Sequence, residues 1–426
     1  MSSRRSKGGL LARVNFPLYT VQMITNRHIL VGGGGGSSKT GVANGFEIFE
    51  LSHNGTHFVA EEVTRHETGP SVVMNCASYR SKNKTWIVAG QESHCQLYNS
   101  KLISENEEFI KGPTAHNLRH RKNSEKVKES QLQQEKIEEI KNNNFNVKSK
   151  KLQLVLEPAD SIQTTFGNSE PLQRVVRVSP CGSIMATGGT DGKVRLWKFP
   201  QLENLYDFDG HGNEIDDIDF NPIGTLLVSI AKDGKAFVWN IENKKSTELS
   251  WKPPDGIKYM YKRCRFRGLT EEVKNDLFML TNAMTPKNPS FLQLWDTNSG
   301  VITKSVPYKE TLSALAVSSD GKFVAVGTMT SGSVDIFVAF SLRKALHVPG
   351  AHSMFVTGLE FLPTDDELNG VAITSNTETA VVSISVDNRI CIHSIPFRHT
   401  LPFWFVIMLI VLCICGAFIF CSYLGI

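Results

Sequence analysis

Short apolar runs broken by glycine- and aspartate-centred turns dominate the chain, and one phrase returns along it. Val175-Val176-Arg177-Val178-Ser179-Pro180-Cys181-Gly182 leads to Ile184-Met185-Ala186-Thr187-Gly188-Gly189, then to Asp191-Gly192-Lys193-Val194-Arg195-Leu196-Trp197. The order recurs over Ile215–Trp239, where Asn221-Pro222-Ile223-Gly224 and Asp233-Gly234-Lys235 are the turns. It recurs over Leu312–Ile336 around Ser319-Asp320-Gly321, and over Val356–Ile395. Each unit reads as strands joined by tight turns.

Three weaker units complete the series: Pro17–Leu51, Val72–Asn99 and Tyr259–Asp296. Their spacing of roughly 40 residues is that of WD40 blades. The pattern predicts an all-β fold, a seven-bladed WD40 β-propeller whose ring leaves no exposed sheet edge. Residues 10–16 are expected to supply the outer strand of the last blade. Gly210-His211, with Asp233 and Trp239, resembles the buried His–Asp–Trp set of such repeats, a structural device. Blade three has Asp191 and Trp197 without a preceding Gly-His.

The blade grammar fails after residue 100. The expected division is 1–100 for blades one and two, 101–171 for a largely disordered charged insertion, 172–399 for blades three to seven and 400–426 for an anchor. The insertion is rich in Lys, Glu, Asn and Gln and poor in apolar positions. Its cluster Arg119-His120-Arg121-Lys122 reads as a solvated charged loop, and Ser124–Lys141 allows at most a frayed helix.

From Leu401 to Ile426 there is no charged residue. Crossing a bilayer core of roughly 27 Å needs about 18 helical residues, so a C-terminal transmembrane α-helix is expected. Phe403, Trp404 and Tyr423 suit the interfaces. Residues 1–9 are basic and polar, unlike a signal peptide. Arg389, Arg398 and His399 precede the helix and no charge follows it, which predicts a cytosolic propeller. Asn54-Gly55-Thr56 and Asn83-Lys84-Thr85 then face the cytosol and are chance glycosylation patterns. The net charge of +4 is mild and dispersed, so no nucleic-acid partner is expected. The eight cysteines show no metal-ligand spacing and read as reduced thiols.

One segment exceeds what the blades need. Gly32–Asn44, GGGGGSSKTGVAN, connects the strand-like runs His28–Val31 and Phe46–Phe49. A hairpin needs two to five loop residues, and five successive glycines are costly to order. It is not a phosphate-binding loop: Ser38, not glycine, precedes Lys39-Thr40, and a strand follows rather than a helix.

This loop, the propeller and the anchor together resemble the endoplasmic-reticulum exchange factors for the Sar-type small GTPase of the COPII coat. The animal form of that family is called prolactin regulatory element-binding protein. The residues that carry the resemblance are Phe16-Pro17-Leu18-Tyr19, Gly33–Gly36 through Lys39-Thr40-Gly41 to Asn44-Gly45, Ala89-Gly90-Gln91 with His94-Cys95-Gln96-Leu97, Ala186–Gly192, Ala339-Phe340-Ser341-Leu342, and the apolar tail. The resemblance implies a guanine-nucleotide exchange factor acting from the endoplasmic reticulum membrane, with no covalent chemistry. It implies a projecting loop ordered by potassium, held by main-chain carbonyls such as those of Gly35, Lys39 and Val42. It places Thr40, Gly41 and Asn44 in the GTPase-activating loop. Asn44 either pins the loop base or touches the GTPase. The alternative is a membrane-tethered WD40 scaffold without exchange activity. The family name records promoter binding, but no concentrated basic reading face is present.

Overall fold

The computed structural model describes residues 9–36, 41–81, 84–104, 152–167, 170–253, 256–268, 275–285, 287–363, 377–397 and 403–425. The first strand, β1 (Gly9–Arg13), belongs to the last blade. Blade one follows as β2 (Leu18–Met23), β3 (His28–Gly33), β4 (Gly45–His53) and β5 (Phe58–Glu67). Blade two is β6 (Val73–Ser81), β7 (Lys84–Gln91), β8 (His94–Ser104) and β9 (Leu152–Gln163). Blade three is β10 (Gln173–Val178), β11 (Ile184–Gly189), β12 (Val194–Lys198) and β13 (Glu203–Phe208). Blade four is β14 (Ile215–Phe220), β15 (Leu226–Ala231), β16 (Ala236–Asn240) and β17 (Ser246–Glu248). Blade five is β18 (Tyr259–Phe266), β19 (Asp276–Ala283), β20 (Ser290–Asp296) and β21 (Val301–Tyr308). Blade six is β22 (Leu312–Val317), β23 (Phe323–Thr328), β24 (Val334–Val338) and β25 (Arg343–Val348). Blade seven is β26 (Val356–Phe361), β27 (Thr377–Ser385) and β28 (Arg389–Pro396), completed by β1.

The first strands of the blades contact one another around the ring, β2 to β6 onward and β26 back to β2. They line the central channel. Each first strand shifts register near its start, as between Leu18 and Thr20 or Ile215 and Asp217. A bulge repeated seven times gives every blade the added local twist that fans the sheets. The core is divided among the blade interfaces. Val21, Ile29 and Phe49 of blade one pack on Val382, Ile384 and Ile392 of blade seven. Leu30, Phe46 and Ile48 pack on Cys76, Ile87 and Tyr98 of blade two.

Antiparallel β1 closes the ring on β28, Gly9 opposite Ile392 and Arg13 opposite Arg389. The expectation for residues 10–16 therefore holds, with the strand at Gly9–Arg13. One boundary needs correction. Leu152–Gln163, assigned above to the disordered insertion 101–171, is the outer strand of blade two and pairs with β8 from Ser104 back to His94. Leu154 and Leu156 bury there, which the local excess of charge concealed. Residues 105–151, including Arg119–Lys122, lie outside the described residues.

Strand direction alternates within each blade, so two kinds of connection emerge on each face. Second-to-third-strand loops and interblade links share one face, termed upper. First-to-second and third-to-fourth turns share the lower face. β28 ends on the lower face, and α1 (Phe403–Leu424) follows it in the chain. Trp404–Cys421 averages a hydropathy of 2.9 and none of it is buried, as a membrane span requires.

Candidate functional site

The glycine-rich segment is the upper-face connection of blade one. Four buried or half-buried residues hold its ends. Gly34 N–H donates to Pro17 O at 3.1 Å, and Thr68 N–H donates to Asn44 O at 3.0 Å. Asn44 is only 5% exposed. Its Oδ1 accepts from Gly36 N–H at 2.9 Å. Its Nδ2 faces three carbonyls, those of Gly36 at 3.1 Å, Gly69 at 3.0 Å and Pro70 at 3.1 Å. Thr68 Oγ1 donates to Ser71 O at 2.8 Å and so braces the neighbouring interblade link. One side chain thus ties both ends of the loop to the connection leading into blade two.

Part of the glycine content answers to this packing. A Cβ on Gly33 would sit 1.9 Å from Pro17 O. Gly34 adopts φ +143°, and a Cβ there would lie 2.1 Å from Asn44 Oδ1. Beneath the loop, Phe46 is fully buried and meets Tyr98 edge-on at 5.4 Å. Gln91 Nε2 donates to Tyr98 OH at 2.8 Å, joining blade two to the same support.

The remaining expected loop residues distribute as follows. Gly41 is exposed at φ +75°. Val42 is half-buried and packs against the cluster shared by blades one and seven. Gly35 lies at the described edge of the loop, while Lys39 and Thr40 fall outside the described residues. Among the described residues no three His, Cys, Asp or Glu gather as a metal cluster. The three main-chain oxygens that converge at the loop base, those of Gly36, Gly69 and Pro70, are engaged by Asn44 Nδ2.

The repeat signature is built at blade four. Trp239 Nε1–H donates to Ser229 Oγ at 2.8 Å, and Ser229 Oγ lies 2.8 Å from His211 Nε2. His211 Nδ1 lies 3.2 Å from Asp233, which also accepts from Gly212 N–H at 3.0 Å. Burial lowers the His211 pKa against the opposing pull of Asp233, so the ring stays neutral and relays one hydrogen-bond direction. Blade seven repeats this set. His352 pairs with Asp387 at 3.1 Å and with Ser383 at 2.8 Å, while His393 Nε2 takes the place of the tryptophan N–H at 2.8 Å from Ser383. Reading the sequence missed it: Ala351 separates Gly350 from His352, and His393 stands where Trp was sought. Both sets fasten upper-face loops and expose no reactive group.

The channel wall carries the other charged cluster. Arg265 donates to Asp217 at 2.6 Å, with Arg177 3.5 Å from the same carboxylate. Burial would raise Asp217, but Arg265 and Arg177 outweigh it and hold its pKa below the usual range. Burial pushes Glu360 up to about 7. Arg177, Asp217 and Arg265 tie the neighbouring blades three, four and five together along the channel wall.

The WD domain, G-beta repeat family matches residues 160–198 and 202–240. The mouse guanine nucleotide-exchange factor SEC12 is 32% identical over 419 residues, covering 96% of this chain and 95% of that protein. The rat protein of the same name matches over the same length at 32% identity. SEC12-like protein 2 of Arabidopsis thaliana is 28% identical over 211 residues, 49% of this chain and 51% of its own length.

Proposed function

The chain belongs to the SEC12 family of guanine nucleotide-exchange factors, and we propose that it activates the Sar-type small GTPase from the endoplasmic reticulum membrane to start COPII coat assembly. The observation that carries this is the blade-one connection, fastened at its base by Asn44 and longer than the joining of two strands requires. Nucleotide release is conformational. A surface that binds the nucleotide-free GTPase more tightly than the GDP form weakens GDP binding by the same factor. In this reading Thr40 and Gly41 belong to the stretch of the loop that acts on the GTPase. Asn44 acts beneath it as a positioning residue, because its side-chain atoms are already engaged by protein. Cytosolic GTP refills the emptied site, and no covalent step is involved.

The apolar helix fixes this event to a membrane and raises the local concentration of a membrane-docked partner. Potassium, bound by carbonyls that include those of Gly35, Lys39 and Val42, offsets the entropy of ordering the glycines. Its own readout is hydrogen exchange of amides 34–44, slower in potassium than in sodium.

The decisive measurement follows GDP release from a purified Sar-type GTPase by tryptophan fluorescence, using the full chain in lipid nanodiscs. Catalytic acceleration that falls at least tenfold in Asn44→Ala, with the propeller still folded, is expected. No acceleration from a folded, GTPase-binding chain would leave a tethered scaffold as its role.

A further inference from the structure

The geometry points to a second membrane contact: the lower rim of blade six seats in the headgroup layer of an anionic bilayer beside the anchor. This rests on reading Phe403–Leu424 as a membrane span and is independent of exchange activity. Six residues, 397–402, separate the end of β28 from the start of α1. Fully extended they reach about 20–25 Å. The end of β28, on the lower face, therefore lies within that distance of the headgroups, whatever partner is bound above.

The surface there suits lipid. A groove of about 360 Å³ runs between blades six and seven, with Ile395 and Glu378 on one side and Phe340, Arg343 and Ala345 on the other. Phe340 forms the tip of the turn between β24 and β25 and is 62% exposed, although its neighbours Ala339 and Leu342 are buried. Phe397, the first residue after β28, is 50% exposed. Two exposed phenylalanines flank the root of the anchor and contribute nothing to the blade cores.

Cations stand beside Phe340. Lys304 donates to Phe340 O, and its ammonium lies 5.9 Å from the Phe340 ring centre. Arg343 is exposed, and Lys322 extends from the adjacent lower turn, 3.4 Å from Asp320. Glu378 is the acid in the groove. Among the described residues, three cations against two acids, set beside exposed aromatics, is interfacial chemistry: the rings enter the acyl boundary and the cations meet phosphates. The tether makes this contact intramolecular, so weak affinity suffices. Seating this rim turns the upper face, with its glycine loop, away from the bilayer.

The test uses the full chain in phosphatidylcholine nanodiscs with and without added phosphatidylserine. Hydrogen exchange of residues 339–346 and 395–397 is expected to slow at least fivefold in the anionic discs relative to detergent micelles. Residues 199–206 of blade three serve as the internal control. Phe340→Ser with Phe397→Ser should abolish the protection, and Lys304→Glu with Arg343→Glu should remove its dependence on phosphatidylserine. Equal exchange in discs and micelles for a chain that floats with lipid overturns the contact while leaving the anchor reading intact. A chain that does not float with lipid overturns both.

Discussion

Blades one and four share a strand plan and differ in how their upper loops are fastened. In blade four a two-residue turn at Asp233-Gly234 is locked by His211, and Ser229 passes the bond on to Trp239. In blade one the positions of Ser229 and Trp239 fall to Val31 and Phe49, which pair with Glu47 and Ile29 in the matching registers. Both are buried in an apolar cluster. The polar relay is gone, and Asn44 secures the upper end from within the loop itself. Replacing an internal relay by apolar packing leaves the connection free to lengthen without loosening the strands beneath. Blade one thus carries its long connection over a core that does not depend on it.

The widest test of this difference is Trp239→Ala. It removes a buried ring stacked 4.6 Å from Phe208 and leaves Ser229 without its donor. A loss of about 3–5 kcal/mol is expected, read as a fall in the thermal midpoint. Exchange per folded molecule should stay within twofold. A selective loss of exchange at full stability would contradict the division of labour.

Asn44→Ala should show the reverse ratio. It strips partners from Gly36 N–H and from three carbonyls. A destabilisation of about 1–3 kcal/mol is expected from the unpaired groups, smaller than for Trp239→Ala, beside the large loss of exchange. Asn44→Asp should not rescue, since a carboxylate would face the carbonyls of Gly69 and Pro70. Equal exchange in wild type and Asn44→Ala would mean that the loop works without a fixed base.

The polar relays also carry a pH dependence. Burial lowers the pKa of His211 and His352, and that of His393 to about 3. A folded-state pKa below the ordinary 6.5 means that the unfolded chain binds more protons. The stabilisation is complete above pH 6.5 and is lost as pH falls from there toward 3. Thermal midpoints should drop over that interval, and less steeply in His393→Phe, which keeps bulk but not the titration.

The fold was legible because its signals are local: Asp-Gly and Pro-x-Gly turns set the strand ends, and the spacing of the units set the blade count. The closing strand was legible too, since a ring needs one and residues 10–16 precede the first unit; the strand itself is Gly9–Arg13. What escaped depends on distant pairing. Leu152–Gln163 sits far from β8 in sequence, behind a charged stretch that masks its two buried leucines. The contacts of Asn44 with Gly69 and Pro70 had no sequence mark either, because carbonyl acceptors are independent of residue type. The second relay hid behind one inserted alanine and a histidine in a tryptophan's place.

The smallest effect comes from Glu47, set against a buried carboxylate of blade four. Glu47 lies in β4 just below the loop, almost fully buried, with Arg65 3.7 Å away. Burial raises its pKa, the nearby Glu62 adds to the shift, and Arg65 offsets only part. Asp217 of blade four is buried as well, but Arg265 and Arg177 bring it below the normal range. The signs therefore oppose. Raised Glu47 favours folding fully below pH 4.5, and that advantage fades as pH rises through its folded value. Depressed Asp217 stabilises above its ordinary 3.8 and loses that contribution in acid. At pH 8, Glu47→Gln should raise stability by about 1 kcal/mol or less, whereas Asp217→Asn should lower it by more, because it removes the carboxylate charge closest to both Arg265 and Arg177. Denaturant midpoints for both variants at pH 5 and pH 8 measure the contrast. A Glu47→Gln protein less stable than wild type at pH 8 would show that the Arg65 pair outweighs burial, and that blade one, like blade four, is held together by charge.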